Sequence, residues 1–480
     1  MKNKLKILVL CLFILSGCKK DFDKIIESDL ENNPKLKKTA SGGDGIYDVL
    51  GYAYDATGLY MDVYSTSFPV VDVGKFLAQE PNNVETTLAS GTTGYYSAGE
   101  NSEQFAADLT LNANISSDNP LFSLEVKGGY GIENTNSSEF SYANYYWISK
   151  LKRIQFNSSV DNLSNYLSDQ FIYDLNTKTA DWIVLNYGTH VLLSVELGAR
   201  LQIYYQSITT GNQRKESVTA GMAASVGSIF SVGGDVSYNN SLVSNNTSAS
   251  LSWSTSGGGA AGLVGSIDLS SPSTPTINIS NWTNSIELSN AVLVNVAPGK
   301  MIYIYDLITD PTKKLAVKAA VEDYISGNTI TYASDIMEFK RTPPYSPTQY
   351  QYSTVTASLH ENWVSNGKVS NLFAVNSLRE SVIPLYQFYR WNVNGPNAYS
   401  QYVLSTNSNF GNGSFTLVRT EGKVYPSAIN SSVIPLYEFY NSSTYQYTYS
   451  TNRLEFGNGR YYSTGPDGFW LQKIVGYVPK

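Results

Sequence analysis

Tyr187-Gly188-Thr189-His190-Val191 and, six residues further on, Gly198-Ala199 decide the fold of this 480-residue chain. A glycine set between an aromatic and a hydroxyl residue, with a second glycine one short strand later, marks places where backbones approach closely or a sheet turns a corner. His190 is one of only two histidines, the other being His360. The two cysteines, Cys11 and Cys18, stand near the N-terminus, and no His/Cys/Asp/Glu cluster has metal-ligand spacing. A serine triad could use either histidine, but the motifs that flank such nucleophiles are missing. His190 therefore reads as a buried, hydrogen-bonded brace of a sheet, and the chain as a non-enzyme with no cofactor and no metal.

On either side of the pentad lies a stretch of period-two alternation. Upstream, Phe105, Ala107, Leu109, Leu111, Ala113 and Ile115 alternate with Asp108, Thr110, Asn112 and Asn114. After a turn at Ser117-Asp118-Asn119-Pro120 the alternation resumes with Phe122, Leu124, Val126, Tyr130 and Ile132. Downstream, Val218, Met222, Val226, Phe230 and Val232 share a face, Asn239-Asn240-Ser241 offers a turn, and Leu251 and Trp253 mark the apolar side of a return arm. Asp235 is the one charged residue between Ser217 and Ser266. An amphipathic hairpin with an uncharged polar face suits a barrel with lipid outside and water within, and each arm exceeds the roughly 9 to 11 residues needed to cross hydrocarbon. Half-buried hairpins of a soluble sheet show the same alternation. A chain with two such hairpins cannot close a barrel alone, so pore formation requires many copies in a ring.

Together these features resemble the membrane attack complex/perforin (MACPF) family, whose signature is an aromatic-Gly-Thr/Ser-His-aromatic pentad followed by a glycine pair. Tyr187, Gly188, Thr189, His190 and Gly198 match it, while Val191 and Ala199 depart from it. The helical spacing of Leu163, Tyr166, Leu167 and Phe171, the Trp282 to Ile286 segment, and Tyr305 to Ile308 with the helix begun at Asp310-Pro311 agree in order. The resemblance implies an α+β fold, a bent antiparallel sheet of the MACPF/cholesterol-dependent-cytolysin type with flanking helical clusters. It also implies that the two alternating stretches rest as helices and unfurl into membrane hairpins after ring assembly. Their wealth of Ser, Gly and Thr makes any helical state only marginally preferred.

The N-terminus is basic, then apolar from Ile7 to Leu15, and ends in Leu15-Ser16-Gly17-Cys18. This reads as a signal peptide over 1–17 with lipidation of Cys18, followed by a tether over 18–41. The expected location is the outer membrane, at the cell surface or released from it. The formal net charge of −7 gives no basic face for nucleic acid, and 37 tyrosines with few charges suit an exported β-rich protein.

The MACPF domain is expected over 42–340, ending at the Pro343-Pro344-Pro347 break, with a small all-β repeat module over 341–480. Ser381-Val382-Ile383-Pro384-Leu385-Tyr386-Gln387-Phe388-Tyr389 recurs as Ser432-Val433-Ile434-Pro435-Leu436-Tyr437-Glu438-Phe439-Tyr440. Sugar contact is expected at the Tyr/Asn-rich loops holding Tyr399, Tyr402, Tyr445 and Tyr447. The expected partners are a target membrane, a surface receptor (glycan, lipopolysaccharide or outer-membrane protein) and, on assembly, other copies of a chain that is a soluble monomer beforehand. Two functions stay open: an antibacterial pore-forming toxin, or a non-lytic surface lipoprotein that binds glycans or host matrix.

Overall fold

The computed structural model describes residues 46–115, 117, 119–130, 140–230, 238–259, 262–270, 275–330, 333–344, 347–354, 363–375, 377, 381–392, 399–429, 433–456 and 468–479. Cys18, the signal and tether, Val232, Ile132 and His360 lie outside these residues. The chain divides into two units, 1–330 and 331–480.

In the first unit, long antiparallel strands form a sheet in the order β3 (Val84–Gly99), β4 (Phe140–Phe156), β6 (Ser194–Thr209), β7 (Asn246–Ser256), β8 (Val264–Asp268). A smaller sheet has the order β10 (Met301–Tyr303), β5 (His190–Leu192), β1 (Tyr52–Tyr54), β2 (Thr66–Pro69), and β9 (Val292–Asn295) pairs with β6. The register of the large sheet slips at one level across its strands: between Leu88 and Gly91 of β3, between Lys150 and Lys152 of β4, and between Glu196 and Leu197 where β6 meets β9. Bulges bend and twist the strands that carry them, and three at one level bend the whole sheet. At this level β6 also changes partner, pairing with β9 through Gly198 and with β7 from Arg200 onward.

Gly198 is required there. It faces Lys150 across the ladder, and a Cβ on it would collide with the carbonyl oxygen of Ser149. Just below, the buried Glu196 carboxylate takes Lys150 at 2.6 Å, Arg153 at 2.5 Å and Asn295 at 2.8 Å. Burial works to raise its pKa, but these hydrogen bonds outweigh burial and hold it below the usual carboxylate range.

Side chains of β4 and β6 alternate between two apolar clusters. Tyr142, Tyr146 and Ile148 join one, while Ala143, Tyr145, Leu201, Ile203 and Tyr205 join the other. Helices cover both sides. The helix Pro311–Asn328 starts as its sequence predicts, with the Asp310 carboxylate accepting from the Lys313 amide at 2.6 Å and proline in the first turn.

Among its described residues the second unit is built of strands with one 3-10 turn. Its strands are β11 (Ala333–Arg341), β12 (Gln349–Ser353), β13 (Val364–Phe373), β14 (Ile383–Asn392), β15 (Tyr399–Ser405), β16 (Thr416–Val424), β17 (Val433–Asn441), β18 (Gln446–Ser450) and β19 (Trp470–Pro479). Residues 333–340, assigned from sequence to the larger domain, belong to the strand β11, which pairs with β12 and β13 in this unit. Two copies of a motif were visible in the sequence, and the strand pairing shows three. Ile336, Leu385 and Leu436 begin the same bulge, and Glu338, Gln387 and Glu438 the next. The first copy escapes notice in sequence because Met337-Glu338-Phe339-Lys340 stands where the others read Tyr-Gln/Glu-Phe-Tyr.

Gly198→Ala is expected to lower the unfolding free energy by about 1–3 kcal/mol, read from urea denaturation. Gly227→Ala, on an exposed helical site where a Cβ meets nothing, is expected to raise it by about 0.5–1 kcal/mol.

Candidate functional site

The signature pentad clasps the strands of the smaller sheet together. Gly188 ends the helix Ala180–Tyr187 at φ 106°, and a Cβ there would stand 2.7 Å from the Tyr54 carbonyl oxygen and 2.8 Å from the Asp55 nitrogen. The Thr189 amide donates to Tyr54 O at 3.0 Å, its hydroxyl accepts from the Ala56 amide at 3.1 Å, and its carbonyl accepts from the Ile304 amide at 3.0 Å. His190 pairs with Tyr54 on one side and Tyr303 on the other, and its Nδ1 meets the Thr189 hydroxyl at 2.8 Å. Its ring packs 4.4 Å from that of Tyr303.

Thr189 and His190 have no exposed surface. Burial depresses the His190 pKa to about 3, with Asp55 pulling the other way, so the imidazole is neutral. Tyr187 donates its hydroxyl to Asp174 at 2.8 Å, which ties the helix Asp169–Thr177 to the clasp.

The upstream alternating stretch rests as two helices, Ser102–Asn112 and Ser123–Tyr130, rather than as strands. Phe105, Leu109, Ile115, Phe122 and Val126 are buried, and Leu124 is half-buried. Leu111, grouped with them by period two, is 73% exposed, because on a helix it turns away from Phe105 and Leu109.

Sequence reasoning missed the polar core under these helices. Glu125, only 2% exposed, accepts from the Tyr60 amide at 3.1 Å, from the Tyr146 hydroxyl of β4 at 2.6 Å and from the Tyr204 hydroxyl of β6. Burial, and then the Glu125 carboxylate, raise the Tyr204 hydroxyl well above its ordinary range, which keeps it a donor. Beside it the buried Arg200 donates to Tyr60 O at 2.6 Å and Met61 O at 3.2 Å, and reaches Asp62 at 3.2 Å. Its guanidinium lies 5.3 Å from the Tyr146 ring centroid. Charges this deep persist only when paired, and a carboxylate placed among apolar neighbours at 122–126 was the available signal.

The downstream stretch divides. Its first arm is the helix Arg214–Ile229, which buries Val218, Met222 and Val226, with Phe230 buried just beyond its end. Its return arm is already strand β7, where Leu251 is buried and Trp253 half-buried, paired with Tyr205 and Ile203 of β6. The expectation that both arms rest as helices is therefore corrected: the alternation at 247–255 is that of a sheet strand, whose Leu251 packs in the same cluster as Val218 and Met222.

The two helical stretches thus lie on opposite faces of the sheet. Lys215 and Asp108 join them through an ion pair at 2.8 Å. Each also interrupts a pair of neighbouring strands. Residues 100–139 join β3 to β4, whose ladder runs to Gly99↔Tyr142, and residues 210–245 join β6 to β7, whose ladder runs to Thr209↔Asn246.

In the second unit Tyr399 and Tyr402 are buried residues of β15 rather than loop residues, and Tyr447 is a half-buried residue of β18. Tyr445, in the preceding turn, is 49% exposed and stacks on Tyr399 at 5.6 Å.

The profile of the MAC/Perforin domain family matches residues 80–334. Among solved structures the chain is similar to a MAC/Perforin-domain protein from Bacteroides thetaiotaomicron VPI-5482, at 14% identity and TM-score 0.48. That match covers 64% of this chain and 66% of the other, so the chain spans just under two thirds of that protein's length. It is also similar to GNIP1Aa from Chromobacterium piscinae, at 15% identity and TM-score 0.46 over 81% and 83% of the two chains. Suilysin from Streptococcus suis follows at 10% identity and TM-score 0.26, over 72% and 66%. No curated protein sequence matches the chain.

Glu125→Ala strands the donors of Tyr146 and Tyr204 and is expected to destabilise the packed helices by about 3 kcal/mol. The check is faster amide hydrogen exchange over 102–112 and 123–130, with exchange in the second unit unchanged. For His190 the folded pKa is depressed, so the unfolded chain takes up its proton first and acid favours unfolding. The stability gap between wild type and His190→Gln is expected to narrow by about 2 kcal/mol between about pH 7 and about pH 4.5 in urea titrations.

Proposed function

This chain belongs to the MAC/Perforin domain family, and from that premise we propose that it is a pore-forming protein whose stretches 100–139 and 210–245 leave the sheet and enter membranes as hairpins. The observation that carries the reading is their place in the ladder. Each joins the ends of two strands already paired and in register, so unrolling it lengthens an existing hairpin instead of building a new one. An arm of about 18 residues, extended at about 3.3 Å per residue, reaches about 60 Å, twice the roughly 30 Å of hydrocarbon it must cross.

Among the described residues no helix is long and apolar enough to span a bilayer, which leaves strands as the means. The exposed Leu111 side chain does no packing in the resting helix, whereas on a strand it falls on the face of Phe105 and Leu109, the face a bilayer would take. Two hairpins per copy close no barrel, so copies must assemble. The edge strand β3 pairs with β4 alone, and side chains of the helix Ser102–Asn112 occupy Tyr96 O and the Ala98 amide near its end, so lifting that helix would free more of this edge for a neighbour.

We read the chain further as an exported, lipid-anchored antibacterial toxin that acts without catalysis. The basic start, short apolar run and Leu15-Ser16-Gly17-Cys18 support export and lipidation, and the enclosure of His190 supports a structural role for it.

Cysteine pairs placed where side chains already meet test the mechanism. Ser97 and Asn112 are 2.6 Å apart at their hydrogen-bonding atoms, and Ser217 and Asn245 3.2 Å. Oxidised Ser97→Cys/Asn112→Cys and Ser217→Cys/Asn245→Cys proteins are expected to release no dye from target cells or vesicles made from them, and to recover release on reduction. Release that proceeds unchanged with both locks closed refutes the hairpin reading. Absence of release by the wild type on every target favours a non-lytic binding role.

A further inference from the structure

The three copies in the second unit align strand for strand, so the residues that differ among them can be compared at matched positions. At the outer end of the first strand stand Lys340-Arg341, Tyr389-Arg390 and Tyr440-Asn441. They face Tyr350-Gln349, Tyr402-Gln401 and Tyr447-Gln446 across the ladder. Copies two and three therefore each carry a cross-strand tyrosine pair, Tyr389 with Tyr402 at 5.0 Å and Tyr440 with Tyr447 at 4.7 Å between ring centroids.

Copies one and two each carry an arginine laid on an aromatic ring just ahead of the third strand. Arg341 lies 4.9 Å over Trp363, and Arg390 lies 4.6 Å over Phe415. Each arginine sits beside the tyrosine pair of the following copy. Arg341 donates to Ser400, the neighbour of Tyr402, at 3.1 Å, and Trp363 touches the Tyr402 ring at 5.7 Å. Arg390 donates to Gln401 at 2.9 Å, and Gln401 in turn donates to the carbonyl oxygen of Tyr445, two residues before Tyr447, at 2.6 Å. The same set of groups thus occurs twice. At the third junction Asn441 and Lys340 replace its arginine and one tyrosine.

The arginines are held flat without being neutralised. Arg341 bonds Gln349 and Ser400, Arg390 bonds Gln401, and neither makes an ion pair among the described residues. The Arg390 Nε is buried with no acceptor. Structural arginines in this chain look different: Arg153, Arg200 and Arg419 all have a carboxylate. A planar guanidinium with free donors fits a carboxylate or phosphate, and the half-buried rings of Tyr389 at the first site and of Tyr440 and Tyr447 at the second fit the apolar side of a sugar ring, with the buried Tyr402 behind Tyr389.

We propose that the second unit carries two equivalent binding sites for anionic sugars, one at Arg341/Trp363 with Tyr389/Tyr402 and one at Arg390/Phe415 with Tyr440/Tyr447. Two weak sites on one rigid unit suit a repeating acidic polysaccharide, on which simultaneous occupancy multiplies affinity. The proposal is independent of membrane insertion, since none of these residues belongs to the hairpin stretches.

The test uses the full chain on three immobilised polymers: polygalacturonate, a phosphomannan and neutral dextran. Binding to polygalacturonate, to phosphomannan or to both is expected, weakening as salt is raised, with none to dextran; which acidic polymer is held shows whether carboxylate or phosphate is the preferred anion. Arg341→Gln and Arg390→Gln are each expected to weaken binding about tenfold or more, and the double variant to lose it. A rise in the wild-type melting temperature with soluble galacturonate or phosphomannose oligomers gives the same answer without any variant. Equal binding to dextran, binding to neither acidic polymer, or full binding by a folded double variant overturns the proposal. Dye release, measured separately, is unaffected by either result on plain vesicles.

Discussion

At Gly198 the backbone of β6 runs so near the Ser149 carbonyl that no side chain fits between them, and the architecture of the first unit follows from that contact. Where the backbones close in, the register slips, the sheet bends and β6 exchanges β9 for β7. The exchange lets one strand serve two regions. Below the bend it carries Glu196 with its basic partners. Above the bend it carries Tyr204, which holds the helix 123–130 through Glu125, and Arg200, which holds the 60–62 segment beside it. The pentad fixes the other end of the same strand run, since Gly188 and Thr189 lock β5 to β1 immediately before β6 begins.

On the proposed conversion, the resting form has to be held firmly enough to travel and loosely enough to let go. The Glu125 network meets both needs. Inside the folded unit its bonds lie in a medium of low polarity and resist piecemeal opening. Once water or a new neighbour reaches the carboxylate, the same groups are readily solvated and little is lost. The helix Arg214–Ile229 is tied by polar groups at its first turn, Lys215 to Asp108 and Ser217 to Asn245 and Asn246, and beyond that packs Val218, Met222 and Val226 against β4, β6 and β7. Its Gly- and Ser-rich sequence gives it weak intrinsic helicity.

Much of this was legible in the sequence, and the exceptions have physical reasons. The pentad, the second glycine and the cap at Asp310-Pro311 pointed to their places because each serves a local backbone need. The resting conformation of the two stretches was not legible from alternation. Val218, Met222, Val226 and Phe230 stand four apart, a spacing that puts them on one face of a strand and of a helix alike. Leu111 separates the two conformations, being on the apolar face of a strand and in solvent on the helix. Glu125, Arg200 and Asp62 were invisible because their value lies in contacts between segments far apart in sequence. The first repeat was hidden by substitutions at the half-buried and exposed positions that make the other two recognisable, while its strand register kept the pattern.

The alternation of β4 between its two clusters has a further consequence. Tyr142 and Tyr146 look one way, Ala143 and Tyr145 the other, and both directions are dry while the helices are in place. Such a ribbon has no wet side. A lone molecule that shed its helices in solution would turn adhesive front and back at once, and clumping would outrun any useful encounter. If the proposed conversion takes place, timing is therefore part of the fold: the covers can come off safely only where lipid or a sister subunit is already waiting to replace them.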